Sequence, residues 1–79
     1  MKKAIMWSKE SCIFCDSAKE LLIEKGYEIE ERKIGKGYTK EQLLEEVPSA
    51  RTVPQITLEE KYGWCAIGGY DDLKRYFRV

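Results

Sequence analysis

Two periodicities alternate along this chain. Short apolar runs at residues 4–7 and 64–67, and an alternating stretch at 53–58, are separated by stretches in which apolar residues recur every three or four positions. The first pattern belongs to strands and the second to helices, because side chains repeat every two residues on a strand and every 3.6 on a helix. Ala4-Ile5-Met6-Trp7 carries a β-branched and an aromatic residue and gives way to polar Ser8-Lys9-Glu10-Ser11, as a buried strand does. Phe14, Ala18, Leu21 and Leu22 then fall at helical spacing, with Lys19, Glu20 and Glu24 on the outer face. Ser11 is the expected N-cap of that helix and Gly26 its expected C′ glycine.

A second strand is expected over 27–34, where Tyr27 and Ile29 face one way and Glu28 and Glu30 the other. Gly35-Lys36-Gly37 is a turn. Thr39 and Gln42 form a capping-box pattern ahead of an apolar face of Leu43, Leu44 and Val47. Pro48 ends this helix, since a residue before proline disfavours the α region. Residues 53–58 read as a third strand, with Pro54 near its start where a missing N–H is tolerated. Residues 59–63 read as a polar hairpin loop, residues 64–67 as a fourth strand and Gly68-Gly69 as a turn. Tyr70, Leu73 and Phe77 outline a last helix, with Asp71 and Asp72 in the first turn where the helix dipole favours acids.

The predicted order is β-α-β-α-β-β-α, an α/β fold with a four-stranded mixed sheet flanked by three helices, in one domain spanning residues 1–79. The first two strands, joined through a helix, should be parallel, with a right-handed crossover. The last two should form an antiparallel hairpin.

Composition narrows the function. Fourteen basic and fourteen acidic residues cancel, which argues against broad electrostatic binding of nucleic acid or an anionic membrane. No apolar run approaches the ~20 residues that span a bilayer, and the stretch 4–7 is too short for a signal-peptide core, so a cytoplasmic protein is expected. The absence of histidine excludes imidazole chemistry. Three cysteines are too few, and odd in number, for a secreted disulfide scaffold.

Two of the three form Cys12-Ile13-Phe14-Cys15, a spacing that reads as redox or as half of a metal site. A zinc site takes about four ligands, and Cys65 is the only other cysteine, which argues against a monomeric one. Cys12 follows a strand and opens a helix, so its sulfur meets unsatisfied N–H groups and the positive end of the helix dipole. Helix-terminal CxxC thiols titrate at about 3.5–7.5 against ~8.5 for a free thiol. Cys15 lies one turn later, within reach to resolve a mixed disulfide, and Lys9 adds a nearby positive charge. Val53-Pro54, if cis, would leave the Val53 backbone free to pair with an extended peptide. Gly68-Gly69-Tyr70-Asp71-Asp72 lets backbone approach a ligand closely, with carboxylates suited to an ammonium group. Cys65 is expected to be a small buried hydrophobe and Trp7 to pack near the active-site loop. The acidic clusters Glu28-Glu30-Glu31, Glu45-Glu46 and Glu59-Glu60 are expected to be solvated faces.

Trp7-Ser8-Lys9 ahead of a CxxC, then Thr52-Val53-Pro54-Gln55-Ile56, then Ile67-Gly68-Gly69-Tyr70-Asp71-Asp72-Leu73, together resemble a glutaredoxin over nearly the whole chain. The resemblance implies a thioredoxin-like fold and glutathione-dependent reduction of protein disulfides and glutathionylated proteins. It implies Cys12 as nucleophile and Cys15 as resolving thiol. Lys9 would hold the glycine carboxylate of glutathione, helped by Gln55 or Arg51. Phe14 would flank the tripeptide, Val53 beside Thr52 would pair with its cysteine backbone, and Pro54 would be cis. Gly69, Tyr70 and Asp71 would surround the γ-glutamyl end, with Asp71 or Asp72 meeting its ammonium. Ribonucleotide reductase is a common client of that family, and a monomer is expected.

Three departures stand out. The family's usual site reads Cys-Pro-Tyr-Cys, and Ile13 and Phe14 fill the middle here. Members lacking that proline include ones that bind an iron–sulfur cluster between two subunits, so a cluster carrier is one alternative reading. A thioredoxin-like reductase fed by a flavoenzyme is another. The loop 59–63 looks longer than the family's tight hairpin.

Overall fold

A computed structural model of the chain describes residues 2–79. The elements are β1 (Lys2–Ser8), α1 (Ile13–Glu24), β2 (Tyr27–Lys33), α2 (Lys40–Glu46), β3 (Gln55–Glu60), β4 (Gly63–Gly68) and α3 (Tyr70–Phe77). The order is the expected one, and the four strands form one mixed sheet in the order β2-β1-β3-β4. β1 and β2 run parallel from Lys2 opposite Tyr27 to Ser8 opposite Lys33. β3 is antiparallel both to β1 and to β4. No helix among the described residues is long and apolar enough to cross a membrane.

Alternation on the two central strands decides where the core lies. Ala4 and Met6 of β1 and Ile56 and Leu58 of β3 form one continuous cluster with Ala18, Leu21 and Leu22 of α1 and Leu73 of α3. Met6, Leu22, Ile56, Leu58 and Leu73 are among the largest fully buried side chains. Each such burial is worth roughly 1.5–3 kcal/mol against exposure. On the opposite face Trp7 is buried against the edge of Tyr38, ring centres 5.6 Å apart, with the Arg32 guanidinium 5.1 Å from the indole centre. Arg32 also donates to both carboxylate oxygens of Glu46 at 2.8 Å, which fastens α2 to the sheet. Trp7 thus supports the β2–α2 connection.

Several expectations need correction. α1 begins at Ile13 with Cys12 as its N-cap, because Ser11 takes a left-handed conformation (φ 53°) that turns the chain before the helix. β3 begins at Gln55, two residues later than expected: the Val53–Pro54 bond is cis and proline brings no N–H to the ladder. The hairpin is tight: Glu59 and Glu60 join the ladder opposite Trp64 and Gly63, leaving only Lys61 and Tyr62 to turn. Gly63, at φ 123°, supplies the backbone conformation that this short return needs. Cys65 is exposed, not buried, because β4 is an edge strand and its residues through Ala66 are left uncovered.

Besides Glu46, two more of the glutamates expected in solvent instead tie elements together. Glu60 accepts from the Tyr27 hydroxyl at 2.8 Å and pairs with Lys2 at 3.1 Å. Glu31 accepts from the fully buried Ser8 hydroxyl at 2.7 Å and from Lys19 of α1 at 3.1 Å. The Ser8 hydrogen bond, followed by Lys19, holds the Glu31 carboxyl below its usual range against the opposing effect of burial. A carboxyl depressed in the folded state stabilises the fold above its unfolded value of ~4.3, and that stability is lost as pH falls through the folded value. Glu31→Gln is therefore expected to cost stability at pH 7 and little at pH 2, measured by urea unfolding at both. An equal loss at the two pH values would show that the charge contributes nothing.

Candidate active site

The site is built where β1 ends. Ser8 is anchored by the Ile34 N–H donating to its carbonyl at 2.9 Å, and the chain then turns through Ser11 into α1. Cys12 takes the cap position in extended conformation (φ −107°, ψ 103°), and its Sγ accepts the Cys15 N–H at 3.2 Å. Cys12 and Cys15 are joined as a disulfide with Cα atoms 5.2 Å apart. The two sulfurs are not equivalent. Both belong to the core cluster, but Cys12 is 9% exposed and lines the adjoining cavity, whereas Cys15 is 2% exposed and does not. An incoming thiolate or disulfide therefore meets Cys12 first. Once the pair is reduced, the N–H that Sγ accepts and the helix dipole both favour the Cys12 thiolate.

The wall opposite the disulfide is the segment 52–55. Pro54 is buried, the Val53–Pro54 bond is cis as expected, and Val53 makes no backbone hydrogen bond among the described residues. The Gln55 side-chain amide donates to the Thr52 carbonyl at 2.8 Å and holds this turn in place. The free edge of Val53 thus faces a cleft that an extended peptide can complete as a short ladder.

Two cavities meet at Phe14, Thr52 and Val53. The larger, about 790 Å³, contains Lys9, Cys12, Arg51 and Lys40 and no carboxylate. The smaller, about 420 Å³, contains Pro54, Gln55, Gly69, Tyr70, Asp71 and Asp72 and no cation. The site thus has a cationic arm and an acidic arm with Cys12 beside their junction. Arg51 shares the arm with Lys9, while Gln55 lies in the other, so Arg51 is the better placed of the two to assist Lys9.

The acidic arm separates its two aspartates. Asp72 accepts from the Gly69 N–H at 3.1 Å and from Arg75, and these contacts, Arg75 first, hold its carboxyl below the usual range. Gly68 sits at φ 113°, and a Cβ there would fall 2.5 Å from the Asp72 carboxylate, so glycine is needed for the turn to close. Asp72 is thus engaged as a cap for α3. Asp71 has a side chain 77% exposed, with Lys74 at 3.6 Å as its ion-pair partner among the described residues, so its carboxylate is the more accessible of the two in this cavity. The Phe14 and Tyr70 rings, centres 6.2 Å apart, form the side walls.

All thirteen residues expected at the site, Cys15 behind Cys12 included, lie in or against these two arms. The sequence reading missed Ile34, Lys40, Leu43 and Leu44, which extend the cationic arm toward α2. Leu43 and Leu44 were visible only as an apolar helix face, and nothing in the sequence marked Lys40.

A dithiol at the head of the first helix, a cis proline opposite and a mixed four-stranded sheet beneath define a thioredoxin-like thiol–disulfide oxidoreductase. The chain belongs to the glutaredoxin family: the family model described as Glutaredoxin matches residues 4–62. It is 34% identical over 73 residues to Glutaredoxin 3 of Escherichia coli strain K12, covering 92% of this chain and 83% of that protein. It is 39% identical over 72 residues to the hybrid peroxiredoxin hyPrx5 of Haemophilus influenzae, covering 91% of this chain and 28% of that protein. The structure of a buckwheat glutaredoxin–glutathione complex superposes with a TM-score of 0.76 at 23% identity, covering 98% of this chain and 69% of that one.

Proposed function

We propose that this protein uses glutathione to reduce protein disulfides and glutathione mixed disulfides. The observation that carries this reading is the pair of oppositely charged arms meeting beside Cys12. Glutathione is a zwitterionic tripeptide with a carboxylate at its glycine end and an ammonium at its γ-glutamyl end. Lys9 and Arg51 suit the first and Asp71 the second, with the central cysteine held along Val53. The buckwheat neighbour was solved with glutathione bound.

The cycle balances in thiols. With a protein disulfide, the Cys12 thiolate bonds to one client sulfur and the other leaves as a thiolate. Cys15 then attacks the Cys12 sulfur, forming the Cys12–Cys15 disulfide and releasing the second client thiol. One glutathione opens that disulfide to a Cys12 mixed disulfide, and a second removes it as oxidised glutathione. With a glutathionylated client, Cys12 takes up the glutathione directly and a second glutathione removes it. The similarity to a hybrid peroxiredoxin favours oxidised thiol peroxidases among the clients.

The test compares one peptide whose cysteine is in a mixed disulfide with glutathione and the same peptide in a mixed disulfide with the amino acid cysteine, glutathione being the sole reductant. The glutathionylated peptide is expected to turn over at least about tenfold faster, since each arm contributes a contact the smaller group lacks. Equal rates would remove the tripeptide site. Turnover only when thioredoxin reductase supplies the electrons would replace the reading with a thioredoxin-like one.

A further inference from the structure

The cationic arm is larger than the glycine end of a tripeptide requires. Besides Lys9 and Arg51 it is lined by Ile34, Leu43, Leu44 and Lys40, the last at the head of α2. Glutathione ends at its glycine carboxylate, so this extension has no tripeptide group to receive. Its chemistry is mixed: an apolar floor from β2's end and α2, with cations at the rim. Lys9, Lys40 and Arg51 make no ion pair among the described residues, and of the other cations without one, Lys3, Lys25, Lys61 and Arg78, none lines this arm. In a chain whose charges cancel overall, these three cations are left together, without a carboxylate, on one side of the disulfide. Ile13 and Phe14, 77% and 62% exposed, add apolar surface where the groove meets Cys12.

We propose that this extension binds the client's own chain, and that it selects clients with apolar and acidic residues on the C-terminal side of the target cysteine. The direction rests on the glutathione reading: with the tripeptide's glycine toward Lys9, a client cysteine paired with Val53 in the same sense sends its following residues into this arm. At ~3.3 Å per extended residue, the first following residue takes the glycine position and the next two or three lie over Leu44 and Lys40. The apolar floor accepts one side chain, and the cations meet the carboxylates of its neighbours, a complementarity that acts mainly on encounter and selection.

Single-turnover kinetics without glutathione tests this separately from the tripeptide site. The pre-reduced protein is mixed with short peptides whose cysteine carries a thiopyridine leaving group. Cys12 bonds to the peptide sulfur, thiopyridone departs with the electron pair and is read by absorbance, and Cys15 then frees the peptide thiol. One peptide has Leu-Glu-Glu after the cysteine, one Leu-Lys-Lys, and a second pair carries the same residues before it. The acidic flank after the cysteine is expected to react about tenfold faster than the basic one, and the ratio should shrink in high salt. Before the cysteine, the charge should alter the rate by less than about threefold. Lys40→Glu, at an exposed first-turn position where an acid suits the helix, should bring the tenfold ratio below about three. A wild-type ratio near one, a ratio that Lys40→Glu leaves unchanged, or the same ratio with the flank on the other side would overturn the proposal. Absolute rates no faster than those of free cysteine would sink the oxidoreductase reading, and the charge ratio would still decide the groove.

Discussion

Cys12→Ser is expected to leave the protein folded and inactive, with the loss of turnover exceeding about a thousandfold on protein disulfides and on glutathione mixed disulfides alike. The size of the effect follows from the asymmetry of the pair. Cys12 lines the cavity and Cys15 lies behind it in the core, so no second sulfur can take over the attack. A serine hydroxyl stays protonated at neutral pH and does not displace a thiolate, whereas cysteine supplies a far better sulfur nucleophile at this position. Serine is also a favoured N-cap, and its oxygen can accept the Cys15 N–H that the sulfur accepts now. The fold should therefore tolerate the change, and a melting curve close to that of the reduced wild type would assign the loss to chemistry. Cys15→Ser should separate the two substrate classes. Reduction of glutathione mixed disulfides needs only Cys12 and should persist, while protein disulfides, which need an internal thiol to release the client, should slow sharply. Full activity of Cys12→Ser, or equal loss of both classes in Cys15→Ser, would overturn the assignment of roles.

That asymmetry shows what the chain made legible and what it did not. The spacing of Cys12 and Cys15, the strand before them and the helix after them all follow from local pattern, and so did the element order. Local pattern placed the cap at Ser11, because serine is the better cap by composition. The folded chain spends Ser11 on a left-handed turn instead, and the cap passes to the cysteine. Cys65 failed for a different reason. A cysteine in an apolar run reads as core, but burial on a strand depends on whether a neighbour covers it, and β4 lies at the edge of the sheet. Glu31 and Glu60 failed because their partners, Ser8 with Lys19 and Tyr27 with Lys2, are distant in sequence and meet only through strand register. The extended groove was hidden likewise: Lys40 and Leu44 come to line the arm beside Cys12 only once α2 is folded onto the sheet, and the Arg32–Glu46 contact that fastens it is a tertiary one.

Leu73→Ala is expected to destabilise the protein strongly, because Leu73 is the fully buried anchor of α3 and with it of the acidic arm. Leu73 is the only buried residue of this helix, at 0% exposure, and it enters the same cluster as Met6, Leu22, Ile56 and Leu58. Truncating such a leucine costs about 2–5 kcal/mol, the lost transfer energy adding to the cavity left behind. A chain of this length has a total stability on the order of 4–12 kcal/mol, so the change consumes a large part of it. The melting temperature should fall by roughly 10–25 °C, at several degrees per kcal/mol for a domain this small. The functional consequence should precede global unfolding. Gly69, Tyr70, Asp71 and Asp72 sit on the first turn of α3 or just before it, so a loosened helix displaces the γ-glutamyl contacts while α1 still presents Cys12. At a temperature where the variant is folded, KM for a glutathione mixed disulfide should rise, whereas the rate of Cys12 with a small activated disulfide should change little. Ile23→Ala provides the contrast, since Ile23 is 60% exposed on α1 and its loss should cost under about 0.5 kcal/mol. Equal destabilisation by the two substitutions would mean that α3 is not fastened through Leu73. An unchanged KM in Leu73→Ala would mean that the acidic arm does not depend on the helix that carries it.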